Sequence, residues 1–156
     1  MKIELIVIGK TANKHFATCI DDYVARINHY MPFSVITIPE LKKTKNISTE
    51  QQKQQEGELI LKHILPSDTV VLLDEHGKEY TSIELATWIE KKQHTARKLI
   101  LVIGGPYGFS QNICARANEL VSLSKMTFSH QMVRLILTEQ LYRTGTIIKG
   151  EPYHHE

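Results

Sequence analysis

The feature that most constrains this chain is a set of short apolar runs, each closed by glycine or an acid and followed by helical periodicity. Ile3 to Gly9 reads Ile-Glu-Leu-Ile-Val-Ile-Gly, Thr69 to Leu73 ends at Asp74, and Leu99 to Ile103 runs into Gly104. Each run is the length of a buried strand. Phe16, Ile20, Tyr23, Val24, Ile27 and Met31 then mark one stripe of an amphipathic helix. Ser34 to Pro39 is a further strand, and Leu120 to Leu123 a short apolar run. Strands that alternate with helical stretches predict an α/β fold with a largely parallel sheet.

Local signals refine the plan. Ser48 with Gln51, and Thr81 with Glu84, have the spacing of capping boxes. The second opens a helix carrying Leu85, Trp88 and Ile89. Gly57 costs the helix that Ser48 opens about 1 kcal/mol relative to alanine, so the first half of that helix is expected to fray within a polar stretch, residues 40 to 57. Lys42, Lys43 and Lys45 fall there, on either a solvated loop or an RNA-backbone contact. His76-Gly77 predicts a turn, Ser110 a cap for a helix with Ile113 and Ala117, and the last helix is expected from near His130 to Thr144. Its first turns are apolar nearly all round, which requires burial on several sides, within the fold or against a second subunit.

At 156 residues with 42% hydrophobic and 23% charged residues, the chain suits one domain, residues 1–156. A net charge of +2 excludes a strongly cationic nucleic-acid clamp but allows a local basic patch. It also implies weak binding to isolated RNA. No apolar run approaches a bilayer-spanning length. Glu4 interrupts the place where a signal peptide needs its apolar stretch. Cys19 and Cys114 match no CxxC or zinc spacing, and Cys19 borders an apolar stripe as a packed side chain. The expectation is a cytoplasmic protein with reduced thiols and no membrane partner.

In an open α/β sheet, ligands bind beyond the carboxyl ends of the strands. Leu73-Asp74-Glu75, Gly104-Gly105-Pro106-Tyr107-Gly108 and Leu123 to Phe128 fall there. The glycine-rich turn is either a tight strand-to-helix connection or a cradle that lets a ligand reach the main chain. GxGxxG, GK[ST], GxSxG and HExxH are all absent. His154-His155-Glu156 is a weak metal candidate, so no metal is expected. Between Ser122 and His130 small hydroxyls alternate with bulky apolar groups, which predicts a buried loop with its backbone polar groups engaged. Glu139 and Arg143 have i,i+4 spacing, so Arg143 is a structural candidate as well as a catalytic one.

Several of these residues together carry a family resemblance that spans the chain. They include Lys2-Ile3 with Gly9, Met31-Pro32-Phe33, Glu56-Gly57, Leu73-Asp74 with Gly77-Lys78, and Ile103-Gly104-Gly105-Pro106. Leu123-Ser124-Lys125-Met126-Thr127-Phe128, His130, Arg134, Glu139-Gln140-Leu141-Tyr142-Arg143 and Pro152-Tyr153-His154 complete the set. The sequence resembles the small members of the SPOUT methyltransferases. The resemblance implies an α/β fold with a C-terminal trefoil knot. It also implies S-adenosylmethionine-dependent methylation of N3 of a pseudouridine in helix 69 of 23S rRNA, on the 70S ribosome. The cofactor positions it implies are Leu73, Gly104 and Leu123 to Phe128 (Leu123, Ser124, Lys125, Met126, Thr127 and Phe128), with Gly105 added from the turn. It implies a homodimer in which the partner's tail completes the site. Ser129 stands where many relatives have proline, and His155 where many have a basic residue.

Methyl transfer from a sulfonium needs no enzyme nucleophile, only alignment, one proton acceptor and charge stabilisation. Histidine exchanges a proton at neutral pH, so His130 and His154 are the candidate proton handlers. Arg134, Arg143 and Tyr153 are candidates to hold the base or its backbone, and His130 is equally a candidate cap or packing residue. The tail from Lys149 has too little apolar surface to form a packed element of its own. The competing reading is a non-catalytic knotted module that binds RNA or the ribosome.

Overall fold

The computed structural model describes residues 1–155. Five strands, β1 (Lys2–Ile8), β2 (Phe33–Ile38), β3 (Thr69–Glu79), β4 (Lys98–Ile103) and β5 (Glu119–Ser122), form one parallel sheet in the order β2-β1-β4-β3-β5. Helices α1 (Lys14–Ile27), α2 (Thr49–Leu61), α3 (Ser82–Thr95), α4 (Gln111–Arg116) and α5 (Met132–Lys149) connect and cover it.

The strands are apolar at nearly every position because both faces of the sheet are covered. Ile3, Leu5, Val7, Leu99, Leu101 and Ile103 pack with Ile27 of α1, Ile89 of α3 and Leu137 and Leu141 of α5. The alternate residues, Ile6, Ile8, Ile100 and Val102, pack with Ile60 of α2 and Ile113 of α4 on the other face. A side-chain period of two thus feeds two cores from one run. At the amino edge, Glu4 lies 2.7 Å from Lys2 and 3.3 Å from Lys98, and Lys98 also reaches Asp68 at 3.1 Å.

Both capping boxes form, at Ser48–Gln51 and Thr81–Glu84. Asn13 caps α1, its Oδ1 accepting from the backbone N–H of His15 and Phe16. The first half of α2 is helical from Thr49 onward, which corrects the expected fraying. Gly57 is there for fit, since a Cβ would lie 2.7 Å from Asn112 Oδ1 and closer still to the Ser110 hydroxyl. Close approach of α2 to α4 outweighs the propensity cost.

Other expectations are corrected too. His76-Gly77 is no turn but lies inside β3, where the pairing with β5 shifts so that Val121 faces both Leu73 and Lys78. Ser110 stands at the N-cap of α4, yet its hydroxyl turns to the Asn112 side chain rather than to a backbone N–H. Cys19 is exposed, because α1 buries the neighbouring stripe through Ile20 and Ile27. The last helix begins at Met132 and continues to Lys149, beyond the expected Thr144. No helix among the described residues is long and apolar enough to cross a membrane.

Candidate active site

The carboxyl ends of β4 and β5, with Leu73 to Glu75 in the middle of β3, enclose a cleft of about 420 Å³, within the range of small-molecule sites. Leu73 and Ile103 form its floor, Gly104 and Gly105 one wall, and the loop from Leu123 to His130 the other. Of the expected cofactor residues, Leu73, Gly104, Gly105, Leu123, Ser124, Met126, Thr127 and Phe128 all line it. Lys125 does not line it and is exposed. His130 lines the cleft just before α5.

The wall loop holds its shape by serine turns. The Ser122 hydroxyl donates to the Ser124 carbonyl at 2.8 Å, and the Met126 N–H donates to Ser124 Oγ at 2.9 Å. Ser129 Oγ accepts from the Met132 N–H at 3.1 Å, which opens α5. The hydroxyls therefore engage the backbone as expected, but the loop is not buried. Lys125, Met126 and Thr127 are exposed, Met126 by 75%, because local turns satisfy the backbone without help from a core.

The opposite wall is set from behind. Glu56 of α2 is only 4% exposed, and its Oε1 accepts from Gln52 Nε2 at 3.1 Å. A Cβ on Gly105 would lie 2.6 Å from Glu56 Oε2, so only glycine fits between this carboxyl and the cleft. The Gly108 N–H closes the turn on the Gly105 carbonyl at 3.2 Å.

Several residues of the site carry weak sequence signals. Asp74 and Glu75 line the mouth, and Glu75 Oε2 accepts from the Thr127 hydroxyl at 3.3 Å, joining the two walls. Their position at a strand end was the available signal. Phe109 and Val133 also line the cleft, and nothing local in the sequence marks them. The lining holds two carboxylates, one histidine and no lysine or arginine. Apolar walls, exposed backbone polar groups and negative charge suit a ligand with a flat apolar part and a positive centre. No group of three or more His, Cys, Asp or Glu side chains fit to hold a metal ion occurs among the described residues.

The other candidates lie elsewhere. Arg134 is 2% exposed, and its guanidinium donates to the carbonyls of Ile8 at 2.6 Å and Gly9 at 2.9 Å and to Thr11 Oγ1 at 3.1 Å. Burial lowers its pKa, opposed by the nearby Glu40. The residue straps α5 to the end of β1 and does not line the cleft.

Arg143, Tyr153 and His154 form a second cluster, also outside the cleft lining. Arg143 Nη2 donates to Glu139 Oε1 at 2.6 Å and Nη1 lies 3.2 Å from His154 Nδ1, while the guanidinium stacks 4.8 Å from the Tyr153 ring centre. The Tyr153 hydroxyl donates to Glu139 Oε1 at 3.1 Å, and its ring meets Tyr142 edge-on at 4.7 Å. Tyr30 donates its hydroxyl to Glu151. Burial, then hydrogen bonding to Tyr23 and Glu139, raises the pKa of the Tyr153 phenol. The tail forms no helix or strand of its own but packs on its own chain, because α1 and α5 present an aromatic surface for it.

A family model described as "Predicted SPOUT methyltransferase" matches residues 1–154. The chain is 61% identical to the "Ribosomal RNA large subunit methyltransferase H" of Phocaeicola vulgatus, with both chains covered in full. Proteins of the same name from Bacteroides fragilis and Flavobacterium psychrophilum are 56% and 52% identical, again over the whole of both chains. A parallel α/β sheet with a glycine-walled cleft at its carboxyl edge, and a match over nearly every residue, lead to one conclusion: the chain belongs to the SPOUT methyltransferase family.

Proposed function

We propose that this protein is an S-adenosylmethionine-dependent methyltransferase that modifies N3 of a pseudouridine in helix 69 of 23S rRNA on the assembled 70S ribosome. The observation that carries the reading is the cleft, whose lining fits a nucleoside bearing a cation. Leu73, Ile103, Phe109 and Leu123 offer apolar surface to a base, the main chain at Gly104, Gly105 and 122–127 offers hydrogen bonds, and Asp74 and Glu75 supply negative charge. When bound, S-adenosylmethionine supplies an electrophilic methyl group on a good leaving group.

The residues of the chain do the rest. The glycine wall and the serine-turn loop hold donor and acceptor in line. His130, at the cleft margin, takes the imide proton of the pseudouridine. Arg143, Tyr153 and His154 act on the RNA in the cleft of a second subunit, in a homodimer whose last third of chain carries the family's knot. Their preformed cluster outside their own cleft supports that assignment. Because Arg134 is committed to backbone carbonyls, its part is to position α5. This enzyme works in the cytoplasm, where ribosomes are.

The test is methyl transfer from labelled S-adenosylmethionine to ribosomes that lack the modification, followed by mapping of the product base. Label at N3 of a helix 69 pseudouridine is expected. Tight cofactor binding with no transfer would favour the non-catalytic RNA-binding module instead.

A further inference from the structure

The loops that follow β1 and β2, together with the first residue of α1, carry five lysines that the reading above leaves without a role. Lys10, Lys14, Lys42, Lys43 and Lys45 are all exposed. None makes an ion pair among the described residues, whereas Lys2, Lys53, Lys92 and Lys98 are each paired with a carboxylate. Since the sheet is parallel, both loops open at the same edge as the cleft.

Contacts make them one strip that starts at the cleft. Gln131, next to His130, accepts the Ala12 N–H on Oε1 at 2.8 Å and donates Nε2 to the Lys10 carbonyl at 3.3 Å. Arg134 holds the Gly9 carbonyl and the Thr11 hydroxyl, so the β1–α1 loop is tied to the first turn of α5. The Glu40 side chain in turn occupies the space where a Cβ on Gly9 would stand, which seats the start of the second loop against the first. Lys43 then adopts φ 61°, the only positive φ of a non-glycine residue among those described. Such backbone is held against a steric cost and is concentrated at functional positions.

We propose that this strip carries the phosphate backbone of the RNA substrate and leads the target nucleotide to the cleft beside His130. The proposal rests on the rRNA methyltransferase reading and adds to it the surface that grips the substrate. Unpaired ammonium groups attract phosphates without reading sequence. Screening confines the effect to lysines within about 10 Å of the strand at ordinary salt. In a chain of net charge only +2, this strip concentrates five of the positive charges beside the cleft edge.

The experiment uses the full chain with Lys10, Lys14, Lys42, Lys43 and Lys45 changed to glutamine, and a control with Lys62→Gln and Lys91→Gln. Both control lysines are exposed at the far ends of α2 and α3. Cofactor affinity, and kcat and KM for ribosomes lacking the modification, are measured across a salt series. We expect the five-lysine variant to raise the ribosome KM at least about tenfold, with S-adenosylmethionine affinity and kcat within twofold of wild type. The slope of log affinity against log salt should fall by roughly 0.7–0.9 for each lysine that holds a phosphate. An unchanged KM and slope would overturn the proposal, and so would an equal loss in the control. A wild-type protein that binds cofactor but never methylates ribosomes would overturn the underlying functional reading instead.

Discussion

Gly105→Ala is the most direct probe of how the cleft wall is built. The added methyl would sit 2.6 Å from Glu56 Oε2 and 3.1 Å from both Cδ and Oε1. The carboxyl cannot simply recede, because Glu56 is 4% exposed and Gln52 holds its Oε1 at 3.1 Å. Either α2 shifts or the turn moves into the cleft. Overpacking of this kind costs about 1–3 kcal/mol. In a chain of this length that corresponds to a fall in Tm of roughly 2–4 °C per kcal/mol. To the extent that the turn yields, the same energy appears as lost affinity, about tenfold per 1.4 kcal/mol. Thermal unfolding and calorimetric titration with S-adenosylmethionine read the two parts. The decisive variant is Gly105→Ala with Glu56→Ala, which clears the space. A double-mutant cycle should then return a favourable coupling of about 1–2 kcal/mol. Wild-type Tm and affinity in Gly105→Ala, or strictly additive losses in the double variant, would refute the contact as the reason for this glycine.

Arg134→Met strands the carbonyls of Ile8 and Gly9, which should cost about 3 kcal/mol or more in urea unfolding; a loss below 1 kcal/mol would mean that water replaces the guanidinium. Deleting residues 152–156 should abolish methylation and, because Tyr153 packs on Tyr142 and Glu139, destabilise the chain by about 1–2 kcal/mol. In the proposed dimer of about 36 kDa, twice the 17.9 kDa chain, mixing this deletion with Gly104→Val chains should restore up to about half the activity per heterodimer. No recovery despite proven subunit exchange would confine the tail to its own subunit. Burial pushes the Glu4 carboxyl up, but hydrogen bonds and charge from Lys2 and Lys98 outweigh it and hold the group below its ordinary value of 4.5. Its contribution is therefore complete above that pH and is lost as pH falls through the lowered value. Glu4→Gln should flatten the acid limb of the stability profile, and an unchanged limb would show the pairs to be inert.

The parallel α/β class, four of the five strands and both capping boxes follow from the sequence, because strand burial and helix capping depend on residue types a few positions apart; β5 reads only as a short apolar run. So does the cleft wall from Leu123 to Phe128, whose serine turns are local, and the family itself, whose signature is spread along the chain. What needed the tertiary structure is whatever depends on partners far apart in the chain. Gly57 and Gly105 look like helix and turn glycines until Asn112 and Glu56 fill the space beside them. Arg134 reads from the sequence as a candidate to hold the base, and only the structure shows its donors on the carbonyls of Ile8 and Gly9, more than 120 residues away. His76-Gly77 has turn composition, but pairing with β5 keeps it in a strand. The division of the candidates into a cleft with His130 and a separate cluster of Arg143, Tyr153 and His154 is likewise a tertiary fact, since packing of the tail on α5 and its aromatic neighbours leaves no trace in residue spacing.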